Sequence, residues 1–335
     1  MRVLYVYAGL HWWRGYEKRL VDSINEAGTG IAIEFWDWTR EYGVPGNPSL
    51  KWASEHRELL RPFYRALNER AKNADVVMIS PGGGVVPDIM AEIAATVVYC
   101  TTDDPDSSHT CSFPFLEAAD VIAHAGVNFD GERRISDVFL ERGAKRTVFF
   151  PIGFYEERFP AIEDFDEQFA RRDIDLVYVG HLKRGKLETV MNRYRGMTVH
   201  SRSLKLKHNV YVFAKTRRWI RPFRGDLCAL YARSKVGINM HFTFGPCNGR
   251  SYQLNAAGVA QVIDCPEGIS EIYEPNSEVM VYANMEEAVE MIDALLSDDS
   301  ARYQISRSGY ERARREYNSK HLLIQMLREV YCVNK

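Results

Sequence analysis

The chain has 335 residues, enough for two domains of ordinary size, each with its own core. Hydrophobic residues make up 46%, which excludes a disordered chain, and the formal charge of −2 provides no overall field for nucleic acid or a membrane surface. Six cysteines without C-x-x-C spacing read as reduced thiols rather than a zinc site or disulfide frame, and no apolar run approaches the ~20 residues of a membrane span.

In chain order, RVLYVYA (2–8) reads as a buried strand, and the shortness of its apolar run argues against a secretory leader. A helix is expected over 16–28, a strand over 31–38 and a long helical stretch over 50–73. ADVVMIS (74–80) is a strand, PGGG (81–84) a turn and VPDIMAEIAA a helix, followed by strands at 96–102, 120–125 and 147–153. Short β-branched runs separated by helices predict a parallel sheet with right-handed crossovers. The acidic, proline-broken stretch 156–173 lacks periodicity and reads as a linker. The pattern then restarts with DLVYVGHLKRGK and strands at TVHS, NVYVFA, VGINM (236–240) and AQVID (260–264), with LCALYARSK as a helix between two of them. Three helices close the chain. Two Rossmann-like domains in tandem are expected, with ligands at the carboxyl ends of the strands.

Several residues carry candidate chemistry. The turn Asn248-Gly249-Arg250 opens a short helix, where backbone amides beside an arginine suit an anion. GHLKRGK places a basic turn after a strand, with Gly180, His181, Arg184 and Lys186; its bland alternative is a solvated turn. Asp103 and Asp104 follow a strand end, where an aspartate either orients and deprotonates a hydroxyl or caps the next turn. His109 and His11 are further acid–base candidates, although a lone histidine is more often structural. PGGG, with Gly83, lets a ligand approach the backbone or is a plain tight turn; it lacks the residues of a P-loop. Five tryptophans precede residue 53. Trp12 and Trp13 follow the first strand and suit stacking on an acceptor, whereas Trp36 and Trp38 are as readily core. From Arg202 to Arg224 there are eight Lys/Arg and no acid, interleaved with aromatics. This stretch is either a contact for an anionic surface or a solvated loop paired with the acidic linker.

The run SKVGINMHF…NGRSYQLNAAGVAQVIDCPEGISEIYEP resembles the C-terminal domain of GT-B glycosyltransferases, in particular the CgeB-like group related to the family 4 retaining enzymes. Asn248, Arg250, Tyr252, Gly258 and Asp264 match that group's N-x-R-x-[FY] segment, small-residue helix and strand-end aspartate, and YCTTDDP (99–105) resembles its Asp-Asp-Pro strand end. The resemblance implies an α/β GT-B fold: two Rossmann-like domains facing across a cleft, with the C-terminal helix crossing back to the N-terminal domain. It sets 1–152 as the acceptor-side domain, 153–174 as linker, 175–316 as the nucleotide-sugar domain and 317–335 as the closing helix. It further implies donor binding by Gly180, His181, Arg184, Lys186, Asn248, Gly249, Arg250, Tyr252 and Gln253, acceptor contacts at His11, Trp12, Trp13 and Gly83, and catalysis by Asp103, Asp104 and His109. No metal and no cofactor are implied beyond the nucleoside diphosphate sugar itself, its base open.

The sequence departs from the pattern where family 4 enzymes carry Glu-x7-Glu: those positions are Gly245 and Gln253 here. Gln253 still accepts a hydrogen bond from a ribose hydroxyl, without the charge. The expected function is transfer of a sugar to an acceptor hydroxyl on a glycan, a lipid-linked carrier or a small molecule. The location expected is cytoplasmic, free or peripheral to the inner face of the membrane. A non-catalytic nucleotide or sugar binder and a GT-B-fold epimerase are the alternatives.

Overall fold

The computed structural model describes the chain apart from residues 10, 45, 81–83, 181–185, 195–197, 203–208, 214–226, 242–247, 265 and 334–335; for 11–13, 186–187, 198–202, 209–213, 266 and 333 it describes the backbone only. The chain divides into two compact units, residues 1–155 with 319–335, and residues 156–318.

In the first unit, β1 (Arg2–Tyr7), β2 (Ala32–Asp37), β3 (Val76–Ile79), β4 (Thr96–Thr101), β5 (Val121–His124) and β6 (Thr147–Phe149) form one parallel sheet in the order β2-β1-β3-β4-β5-β6. The period-2 geometry of a strand sends alternate residues to opposite faces, and both faces of β1 are buried. Leu4 and Val6 pack with Trp36, Trp38 and Phe63, whereas Val3, Tyr5 and Tyr7 pack with Leu323, Met326, Leu327 and Val330 of the C-terminal helix Ser319–Val333. That helix thus belongs to the first unit, although the whole second unit precedes it in sequence. Trp36 and Trp38 are core; Trp38 stacks on Phe63 with ring centroids 3.9 Å apart.

In the second unit, β7 (Ile174–Gly180), β8 (Thr198–Arg202), β9 (Asn209–Phe213), β10 (Ser234–Asn239), β11 (Ala260–Ile263) and β12 (Met280–Val281) are ordered β12-β11-β10-β7-β9-β8. The first four of these are parallel, and β9 is antiparallel to both β7 and β8. The expected all-parallel pattern fails there because residues 203–208 are too short a connection for a crossover helix, whereas an antiparallel return needs only a turn.

Three other boundaries differ from expectation. The first helix begins at His11, not at residue 16, so Trp12 and Trp13 lie in its first turn. The stretch 50–73 is two helices, Leu50–Glu55 and Arg57–Ala71, separated at His56, whose ring stacks on Trp52. The segment read as a linker contains a helix, Phe165–Ala170, started by the Asp164 side chain accepting from the Glu167 amide. Phe159, Phe165 and Arg172 of this segment are buried within the second unit.

Candidate functional site

Chain direction in the second sheet reverses around β7. From β7 the chain proceeds outward to β8 and β9 on one side, then returns to β10, β11 and β12 on the other. The carboxyl ends of β7 and β10 therefore flank a topological switch point, where α/β sheets bind ligands. Those ends are Gly180 and Asn239, and Arg250 lies across both. Its Nη1 donates to the Val179 carbonyl (3.0 Å), its Nη2 to the Met240 carbonyl (2.9 Å) and its Nε to Asn239 Oδ1 (3.0 Å). The guanidinium sits 5.5 Å from the Tyr178 ring centroid. Gly180 makes the arrangement possible: a Cβ there stands 2.7 Å from Arg250 Nη1 and 2.7 Å from Tyr178 Oη, inside contact distance.

Arg250 opens the helix Arg250–Ala256, every later residue of which is buried. Three of the amides that follow Arg250 are already engaged within the turn. The Ser251 amide donates to Asn248 Oδ1 (3.3 Å), and the Tyr252 and Gln253 amides donate to the Gly249 carbonyl (3.2 and 3.0 Å). The charged group at this end of the helix is the Arg250 guanidinium. A guanidinium has five N–H donors, three of them used here. All three acceptors are uncharged, and among the described residues no carboxylate pairs with Arg250. Basic residues at the amino ends of the same strands differ: Lys235 pairs with Asp175 and Arg233 with Asp173.

Beneath the helix lies a buried polar network. Asn239 Nδ2 donates to Ser251 Oγ (3.1 Å) and Gln261 Oε1 (3.2 Å), and its Oδ1 accepts from Asn248 Nδ2 and Arg250 Nε (both 3.0 Å). Gln261 Nε2 reaches Asn255 Oδ1 (3.2 Å) and the Ser251 carbonyl (3.1 Å). Asp264 accepts the His241 amide on both oxygens (3.0 and 2.9 Å) and holds His241 Nδ1 at 2.6 Å, while His241 Nε2 lies 3.4 Å from Ser251 Oγ. Of this set, sequence reading singled out Asn248, Arg250 and Asp264. Asn239, His241 and Gln261 were missed, and their signal was polar residues at the ends of otherwise apolar strands.

The far end of the helix is clamped as well. Gly258 takes φ +70°, and a Cβ there meets Phe165 at 2.8 Å; Gln168 Nε2 donates to the Ala257 carbonyl at 3.1 Å. Tyr252 is fully buried with its ring 5.0 Å from Tyr317, so it is a packing residue of this unit. Gln253 is 6% exposed, and a Cβ on Gly249 stands 2.9 Å from its Nε2. Lys186 begins the helix Lys186–Arg193, whereas His181, Arg184 and, apart from the backbone of Arg202 and 209–213, the basic stretch 202–224 lie outside the described residues.

In the first unit the expected acceptor residues gather along the carboxyl edge of the sheet. His11, Trp12 and Trp13 follow β1, Asp103 and Asp104 follow β4, and Gly83, which follows β3, lies outside the described residues. Asp104 is 2% exposed, and its Oδ1 accepts from Ser108 Oγ and Ser112 Oγ, both at 2.6 Å, which fixes the turn after β4. Asp103 is exposed. Desolvation and then the charges of Asp104 and Asp106 hold its carboxyl above the ordinary value. His109 is exposed, with its ring edge-on to Phe113 at 5.0 Å. Among the described residues no helix is long and apolar enough to cross a membrane.

Residues 183–328 match the family model described as glycosyl transferase-like. No curated protein matches the chain by sequence. Solved structures resemble it over nearly its whole length. Sucrose-phosphate synthase from Thermosynechococcus elongatus has a TM-score of 0.60 at 12% identity, covering 99% of each chain. HepE of Anabaena in complex with UDP has a TM-score of 0.55 at 13% identity, covering 98% of this chain and 99% of its own. An alpha-glucosyltransferase in complex with UDP and DNA has a TM-score of 0.61 at 12% identity, covering 99% of each chain. The chain has the GT-B glycosyltransferase fold, two Rossmann-like units with the last helix returned to the first. The glycosyl transferase-like match falls within its second unit and closing helix.

Proposed function

We propose that the protein transfers a sugar from a nucleoside diphosphate sugar to an acceptor hydroxyl, with retention at the anomeric carbon and without a metal. The observation that carries this reading is Arg250, an arginine without a carboxylate partner among the described residues, fixed across the switch point of the second sheet. When the bond between the anomeric carbon and the diphosphate oxygen breaks, its electron pair leaves with the diphosphate. A fixed cation at that oxygen stabilises charge that grows in the transition state, usually the largest catalytic term. The acceptor oxygen then bonds to the anomeric carbon on the face that the diphosphate has left, which retains the configuration, and its proton passes to a carboxylate on that same face. Asp103, exposed at the end of β4, is the group assigned to that role. UDP is the first nucleotide to test because HepE and the alpha-glucosyltransferase carry it.

The test is incubation with a panel of nucleotide sugars and release of free nucleoside diphosphate. Arg250→Ala removes a charge-assisted interaction of ~1.5–3 kcal/mol, and nucleoside diphosphate affinity is expected to fall at least tenfold with the fold retained. Wild-type protein that binds no nucleoside diphosphate overturns the reading; tight binding without turnover makes the protein a binder instead.

A further inference from the structure

Resting on that reading, we infer that Asn239 is the residue that keeps the charge of Arg250 available to the diphosphate. The accounting at Asn239 is complete: two donors and two acceptor sites, each with one partner at 3.0–3.2 Å. Its orientation is fixed, because Arg250 Nε only donates and must face the oxygen. Asn239 is fully buried and accepts from the guanidinium at 3.0 Å with no negative charge of its own.

An aspartate here has the same size and offers Arg250 the same acceptor, and it forms the ion pair that most buried arginines make. It also cancels the charge that the ligand is meant to feel. The nearest acid of the network, Asp264, is turned to His241, with both carboxylate oxygens on the His241 amide and one on its ring. The network therefore binds Arg250 through neutral groups and engages its own carboxylate elsewhere. Asn239 is a positioning residue: it acts on the donor through Arg250.

The test compares wild type, Asn239→Asp, Asn239→Ala and Arg250→Ala for affinity to UDP and UMP by calorimetry, with thermal midpoints measured alongside. UDP and UMP differ by the β-phosphate, so their affinity ratio reads the charge at that position and is insensitive to a general loosening of the fold. Wild type is expected to favour UDP by at least tenfold. Asn239→Asp is expected to reduce the ratio to that of Arg250→Ala, and Asn239→Ala, which leaves the charge uncancelled, to stay within about threefold of wild type. An Asn239→Asp ratio equal to wild type overturns the inference, as does an Asn239→Ala ratio as low as that of Arg250→Ala. Loss of the folded state in both Asn239 variants makes the residue one of the fold alone and overturns it too. Wild type that binds neither nucleotide instead overturns the proposed function.

Discussion

In the proposed reaction, single residues set the two halves of the chemistry, Gly180 beside the donor cation and Asp103 as the base. A methyl group at Gly180 collides with the ends of two side chains, Arg250 Nη1 and Tyr178 Oη, rather than with backbone. Such a collision is relieved by moving those ends, so Gly180→Ala is expected to cost only ~1–3 kcal/mol of stability. It nevertheless dislodges the guanidinium, and nucleoside diphosphate affinity should fall about tenfold or more, as in Arg250→Ala. An affinity within twofold of wild type shows that Arg250 does not read the diphosphate from the observed position. Asp103 has to be ionised to accept a proton, and its raised carboxyl value moves that ionisation upward in pH. The transfer rate should therefore rise with pH through that raised value. Asp103→Asn should abolish this limb and slow transfer by roughly 10²–10⁴-fold. A variant with the wild-type profile removes Asp103 from the base role. At this scale the sequence was informative where residues are unusual in a loop: Arg250, Asn248 and the Asp103-Asp104 pair stand out. It was uninformative at Asn239, His241 and Gln261, since their meaning lies in which face of a strand they occupy and what lies opposite.

At the scale of elements, the alternation of apolar strands and helices was legible because the central parallel strands, β1, β3, β5, β7 and β11 among them, are buried on both faces, leaving apolar β-branched runs. What escaped was local. The first helix starts at His11 directly off the sheet edge, while Gly15 within it reads as a breaker. The segment 156–173 looked featureless because its helix is only Phe165–Ala170, too short for periodicity to show. Its function is to pack on the end of the Arg250 helix, through Gln168 on the Ala257 carbonyl and Phe165 beneath Gly258. Arg172 lies in the same contact and is 5% exposed, with Nε and Nη1 lacking a hydrogen-bond partner among the described residues. Burial, and then the neighbouring charge of Arg302, push its guanidinium down to about 9. A buried charge without a carboxylate is a cost that an apolar side chain of similar length avoids. Arg172→Met should leave stability unchanged or raise it by up to ~2 kcal/mol, measured by denaturant unfolding. A loss beyond ~1 kcal/mol means that Arg172 has a partner that stabilises its charge.

For the whole molecule, the order of the chain makes the two units unequal. Residues 156–318 are one continuous segment, whereas the first unit is completed only by the C-terminal helix. That helix buries Leu323, Met326, Leu327 and Val330 against Val3, Tyr5, Val76 and Val98 of the first sheet. At ~1.5–3 kcal/mol for each fully buried side chain, the four contribute roughly 6–12 kcal/mol. This matches the ~5–15 kcal/mol net stability of a whole domain, so the first unit cannot lose the helix and stay folded. Two consequences are opposite in sign. A chain ending at Asn318 should show an unfolded first unit, with amide protons in β1, β3 and β4 exchanging at unprotected rates. The segment 156–318 expressed alone keeps the β7–β10 switch point and every residue of the Asn239 network. It should bind UDP within about threefold of the full chain and transfer no sugar, because the assigned base lies in the other unit. The full chain can be tested in excess EDTA, where it should keep its transfer rate if Arg250 supplies the charge a metal otherwise brings; a loss restored by manganese or magnesium shows that it does not. Should 156–318 be folded yet unable to bind UDP while the full chain binds it, then the first unit supplies part of the donor site, and the assignment of donor to the second unit alone is wrong.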